Sequence, residues 1–286
     1  MQWSSNYPEI KHCPADPFFI CVYFNDLVKE GCSISIIISA LCGIRWGHIN
    51  AGLDSPTDHP IVKLAFRGAK KLIGKTITNK KEPFTVEIIK KLVSTYGESK
   101  NLMILRFLIL CIIGFAGFFR ISELLAIKIQ DIIDKKDFME IYVAKSKTDQ
   151  LREGHIVYVG ITNTSTCPVT WLRKYLSITG LKNEPSSFLI CRLAKTKTGH
   201  NVLGQHGITY ETARKTFLDH LQKVTNEPGK FGTHSLRSGG ATAAANNNVS
   251  DRMIGKHGRW SANTSRDGYI KDSKSKRLSV SKSLGI

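Results

Sequence analysis

The sequence predicts a protein that is mainly α with one small β-sheet, divided into two modest domains near residue 80. Three observations lead there. Apolar runs punctuated by helix caps and glycine stops fill the first 74 residues. A lysine-rich breaker stretch, GKTITNKKEP, follows them. Beyond it, helical segments surround just two β-rich runs, MEIYVAKSKT and HIVYVG. A chain of 286 residues is long for one minimal core and suits two domains.

The elements follow in order. Asp16-Pro17 supplies a cap and a first-turn proline for a helix that runs through FFICVYFNDLVKE to Gly31. Ser33 opens a second, ISIIISALCGIRWGHIN, stopped near Gly52, and His59-Pro60 a third, IVKLAFRGAKKLI, stopped at Gly74. After the linker come VEIIKKLVSTYG, the apolar LMILRFLILCIIGFAG and a short SELLAI. The polar stretch DQLREG joins the two β-rich runs into a hairpin. PVTWLRKYLSITG, YETARKTFLDHLQKV, the small-residue segment after Arg237 and SDRMIGKH are further helices. The run FLILCIIGFAGFF, residues 107–119, is shorter than the roughly 20 residues a bilayer needs. Arg106 and Arg120 bracket it, so it reads as a buried helix in a soluble protein with no membrane partner.

Composition narrows the partner. Lys and Arg number 41 against 23 Asp and Glu, a formal charge of +18, which favours a polyanion such as nucleic acid over a surface kept basic for solubility. Seven cysteines never form a CxxC pair, and most lie in apolar runs. That pattern suits a reducing compartment and gives no structural zinc site.

Cleaving a phosphodiester without a metal needs forked cations for the charged oxygens, a nucleophile, a proton acceptor and an acid for the leaving oxygen. The chain offers Arg120 at the end of its most apolar helix, with Glu123 one helical turn on and able to orient it. It offers a lysine in the hairpin, Lys147 or its near neighbour Lys145. The stretch GTHSLRSGGATAAA sets His234 and Arg237 on one face of a helix N-terminus, aimed at an anion, with small residues behind that permit close packing. His257, Trp260 and Tyr269 follow in KHGRWSANTSRDGYI. Taken singly, each has a plainer reading: Arg120 as a helix-end cation, His257 as a helix-end stabiliser, Tyr269 as a surface ring.

Together these residues resemble the tyrosine recombinases, the phage integrase family. GFFRISELLAIKIQDI resembles its R-x-S-E-L box, SKT its hairpin lysine at Lys147, and HSLR its H-x-x-R box. Trp260 stands at a position filled by His or Trp, as in Cre recombinase, with Tyr269 nine residues later. HGRWSANTSRDGYIKDS and RLSVSKSLGI are similar to recombinases of eukaryotic DIRS-type or Crypton mobile elements. Residues 1–80 resemble the family's helical (SAM-like) core-binding domain, and 81–286 its α+β catalytic domain. Only MQWSSNYPEIKHCPA precedes the DP turn, where that domain usually has another helix, so one arm of the clamp is expected to be short.

The resemblance implies a cofactor-free enzyme that cleaves and rejoins duplex DNA through a 3′-phosphotyrosine, with no small-molecule substrate. Tyr269 would be the nucleophile, Arg120 and Arg237 the phosphate clamp, Lys147 the acid, His234 the proton acceptor, and Trp260 a hydrogen-bonding and packing partner. Glu123 and His257 would support them. The family further implies a homo-tetramer on paired sites, in the nucleus or, in a prokaryote, the cytoplasm. The tail after Tyr269 either docks on a neighbour or stays free. Two other readings remain open: a type IB topoisomerase-like relaxing enzyme, and a DNA-binding remnant without chemistry.

Overall fold

The structure, a computed structural model, describes residue 7 and residues 9–74, 80–145, 153–197 and 199–286. Its backbone divides into two compact units, Met1–Lys80 and Lys81–Ile286.

The first unit is helical. Helix α1 (Pro17–Lys29) starts where Asp16 accepts the Phe18 N–H at 2.7 Å. Helix α2 spans Ile34–Asn50, and α3 (Pro60–Ile73) ends at Gly74, whose φ of 69° suits glycine. Ile20, Phe24, Leu27, Ile37, Val62 and Ala69 form a small core. Among the described residues no helix precedes α1; His12 and Ala15 close a short bridge there. Trp46, Leu64 and Leu72 lie exposed on α2 and α3.

The second unit holds the main core. Helix α4 (Val86–Tyr96) packs on α5 (Leu102–Ala116), which is apolar on every side and therefore central. Residues Leu105 to Ile113 are all buried; Arg106 among them donates from Nη1 to the Cys191 carbonyl at 2.7 Å. Among the described residues, no helix is long and apolar enough to cross a membrane. A short α6 (Ile121–Ala126) leads into an antiparallel sheet, β1 (Ile132–Asp134), β2 (Phe138–Val143) and β3 (His155–Gly160), with Ile141 opposite Val157. Helix α7 (Pro168–Thr179) follows.

A second, two-stranded sheet then appears that the sequence reading does not contain: β4 (Cys191–Thr196) with β5 (Gly199–Gly207). Its segment carries scattered glycines and polar residues, so period-two alternation is weak there. Helices α8 (Tyr210–Leu221), α9 (His234–Asn246), α10 (Asp251–Gly258), α11 (Asn263–Asp267) and α12 (Lys274–Lys282) complete the chain. The fold is mainly α with small sheets. The tail, which the sequence leaves as docked or free, forms α12 with no buried residue.

The bulk-free stretch in α9 has a steric cause. A Cβ at Gly239 would collide with the Phe84 backbone, and one at Gly240 with the Phe115 carbonyl. The Phe84 N–H meanwhile bonds the Ser235 carbonyl at 2.8 Å. Only glycine allows α9 to seat this deeply against the end of α5.

Candidate active site

The site grows from a reversal after α5. The apolar helix does not reach Arg120; it stops at Ala116, because Gly117 closes it and Phe118 takes a left-handed φ of 47°. Arg120 instead caps the N-terminus of α6. Glu123 then accepts its backbone N–H through Oε2 at 2.9 Å and its Nη1 through Oε1 at 2.6 Å. A box of this kind places a carboxylate on the first turn, where the helix dipole also favours it.

Arg237, on α9, is fully buried. Its Nη1 donates to the Phe118 carbonyl, and its Nη2 to the Gly258 carbonyl at 2.5 Å. Its Cζ lies 4.2 Å from the Trp260 ring centre and 5.2 Å from that of Tyr269. The two rings are themselves 5.2 Å apart. The sequence places His234 and Arg237 on one face of a helix N-terminus, aimed at an anion. In the structure His234, the first residue of α9, is exposed, whereas Arg237 lies beneath a cover of two aromatic rings.

Electrostatics follow from the crowding. Burial, then the guanidinium groups of Arg120 and Arg259, lower the Arg237 pKa to about 10, so it remains charged near neutrality. His234 is exposed only in part, and the partial desolvation, then Arg237 and Arg120, push it below the ordinary histidine range, which favours a neutral ring able to accept a proton. Glu123 also sits below its usual value. Burial opposes this, but Arg259 and the hydrogen bonds from Arg120 outweigh it.

The remaining residues fall around this cluster. His257 bonds through Nε2 to the Ala116 carbonyl at 2.8 Å, so it satisfies the end of α5, and its ring sits edge-on to Phe118. Desolvation lowers its pKa. Tyr269 is half-buried between α11 and α12. Arg266, buried and paired with Asp251 and Asp267, ties α11 to the start of α10. Thr242 donates to the Tyr269 carbonyl at 3.4 Å and accepts the Lys271 N–H at 3.0 Å. Lys147 lies outside the described residues; Lys145 is exposed beyond β2. Among the described residues, the Nε atoms of Arg237 and Arg259 and the Nε1 of Trp260 are buried donors without a partner.

Sequence reasoning missed Arg259. Its side chain is 1% exposed and binds Glu123 Oε2 at 2.8 Å. The available signal was an arginine directly before Trp260, and a lone arginine in a basic chain is no signal by itself. Thr242 was equally silent.

The comparisons agree with this architecture. The chain is 27% identical over 268 residues to an integrase/recombinase xerD homolog of Selenomonas ruminantium, covering 92% of this chain and 76% of that protein. It is similar in fold to the XerH site-specific recombinase bound to a palindromic difH substrate, with 15% identity and a TM-score of 0.58 over 94% of this chain and 70% of that one. It is also similar to the Tn1549 transposon integrase in complex with transposon right end DNA, at 12% identity, with a TM-score of 0.61 over 98% and 87%. The phage integrase family matches residues 82–276, more than half of the sequence. The chain therefore belongs to the phage integrase family, the tyrosine recombinases.

Proposed function

We propose that this protein is a site-specific recombinase that cleaves and rejoins duplex DNA through a covalent 3′-phosphotyrosine. One observation carries the reading: the Tyr269 ring rests 5.2 Å from the guanidinium carbon of Arg237, beside Trp260 and over a buried cluster of cations. The Tyr269 oxygen attacks the scissile phosphorus, and the bond from phosphorus to the 5′-oxygen breaks. A phenol titrates near about 10 in water, so its proton needs an acceptor, and neutral His234 is that acceptor. Lys147, or Lys145 in its place, gives a proton to the departing 5′-oxygen. Arg120 and Arg237 stabilise the charge on the non-bridging oxygens. The unpartnered Arg237 Nε and Trp260 Nε1 support the reading, since a phosphate oxygen meets the demand of buried donors. Attack by a second 5′-hydroxyl reverses the step, so no external energy source is required.

The charge of +18 suits a clamp on the phosphate backbone, and assembly as a tetramer on paired sites belongs to the same proposal. The test incubates the protein with nicked duplexes selected from a random pool by binding, then looks for an SDS-resistant adduct. The parent should form it and Tyr269→Phe should not; equal adduct from both rules out this nucleophile. Binding without adduct supports a non-catalytic remnant, and relaxation of plasmids lacking the site supports a topoisomerase.

A further inference from the structure

We infer that Arg259 is a positioning residue of the cleavage site, acting through Glu123 and the Phe118 carbonyl to hold Arg120 and Arg237 in place. The inference rests on the reading above. Arg259 lies immediately before Trp260 and ends α10 in a left-handed conformation, φ 57°. A non-glycine residue holds that backbone only where its surroundings determine it. Here they do. Nη1 donates to the carbonyls of Gly117 at 3.2 Å and His257 at 2.9 Å; Nη2 donates to the Phe118 carbonyl at 3.0 Å and to Glu123 at 2.8 Å. The guanidinium carbon also sits 5.0 Å from the centre of the Phe119 ring.

These partners are the same groups that set the two proposed clamp arginines. Glu123 Oε2 takes both the Arg120 backbone N–H and Arg259, while Oε1 takes the Arg120 side chain. The Phe118 carbonyl is shared between Arg237 and Arg259. One carboxylate thus lies among three guanidinium groups, with Arg237 Nη1 at 3.9 Å from it. Losing Arg259 would leave Glu123 with less compensation, free it to draw the clamp arginines inward, and release the Phe118 carbonyl that Arg237 also uses. A wholly structural staple would not have to share its acceptors with both.

The experiment compares the parent, Arg259→Met and Arg259→Lys in single-turnover adduct formation across pH, with duplex affinity and thermal melting measured alongside. In Arg259→Met the adduct rate should fall roughly 100-fold, the scale of a small misplacement at a reacting centre. Affinity should stay within about threefold, since phosphate contacts spread over the surface carry binding. The acid limb should move up. His234, the proposed proton acceptor, sets that limb: Arg237 and Arg120 lower its pKa and Glu123 raises it, and Arg259→Met takes one cation from the group that neutralises Glu123. Arg259→Lys keeps the charge, so its acid limb should stay in place while its rate recovers only in part. An Arg259→Met rate within about threefold of the parent overturns the inference, as does a rate that falls with affinity while the acid limb stays fixed. If Arg259→Met melts below the assay temperature, Arg259→Lys decides: a slower rate with parental affinity supports the inference and a parental rate overturns it. A parent that makes no adduct at all instead defeats the cleavage reading, on which the inference depends.

Discussion

The cluster around Glu123 and the segment that carries Tyr269 are built in opposite ways. Glu123, Arg237 and Arg259 are all buried, and backbone carbonyls or one another's side chains hold them. Tyr269 is half-buried, between a five-residue helix and an exposed one. Thr242 holds its carbonyl and the Lys271 N–H, and the Lys271 side chain pairs with Glu82 at the surface. For the proposed reaction, the difference amounts to a division of labour. Cations that must meet a developing charge gain from fixed geometry. A nucleophile that must approach phosphorus and then carry a DNA end gains from a weaker mooring. The ring of Tyr269 also lies over Arg237, so the proposed contact of that arginine with a phosphate calls for the segment to move.

If that contrast is right, variants of the cluster should lower both stability and cleavage, and variants of the segment mainly cleavage. The largest effect is expected for Glu123→Ala, which leaves buried guanidinium groups uncompensated. Unfolding in urea should show a loss of about 3–5 kcal/mol. Gly240→Val should cost about 1–3 kcal/mol by pushing α9 off the Phe115 carbonyl, read in the same assay. Thr242→Val removes two hydrogen bonds from the Tyr269 segment, worth together about 1–2 kcal/mol in melting, yet adduct formation should slow by a clearly larger factor. Lys271→Ala, at an exposed pair, should change stability by at most about 1 kcal/mol. A Thr242→Val protein that loses stability and activity in equal measure would erase the contrast.

Acid titration sharpens it further. The pKa of Glu123 is lower in the folded protein than the ordinary carboxylate value. Its contribution is therefore fully present above about 4.3, the unfolded value, and is lost as pH falls through the folded one. Glu123→Gln should flatten the acid limb of the stability profile. The proposed hairpin acid is separable by chemistry. A substrate whose leaving 5′-oxygen is replaced by sulfur needs no proton donor, because a thiolate leaves unaided. It should restore cleavage to whichever of Lys147→Ala or Lys145→Ala is impaired.

Much of the fold was legible because its signals are local. The helices from Pro17, Pro60 and Pro168 begin where a proline in the first turn marks them. Arg120, His234, Arg237, Trp260 and Tyr269 were singled out by resemblance to the family's boxes, and the structure sets Arg237, Trp260 and Tyr269 against one another with Arg120 on the adjoining Glu123. Arg259 and Thr242 were not, since their roles come from contacts made across 136 and 27 residues of chain. The β4–β5 ribbon went unseen for lack of alternation. The reversal at Phe118 was hidden too: a left-handed phenylalanine within GFFR looks like a continuing helix.

The most direct test is the site of attachment. Trypsin cleaves after Arg266 and Lys271, so mass spectrometry of the digested, nuclease-trimmed adduct should find the nucleotide on the peptide 267–271, at Tyr269. A nucleotide on any other residue would contradict the account.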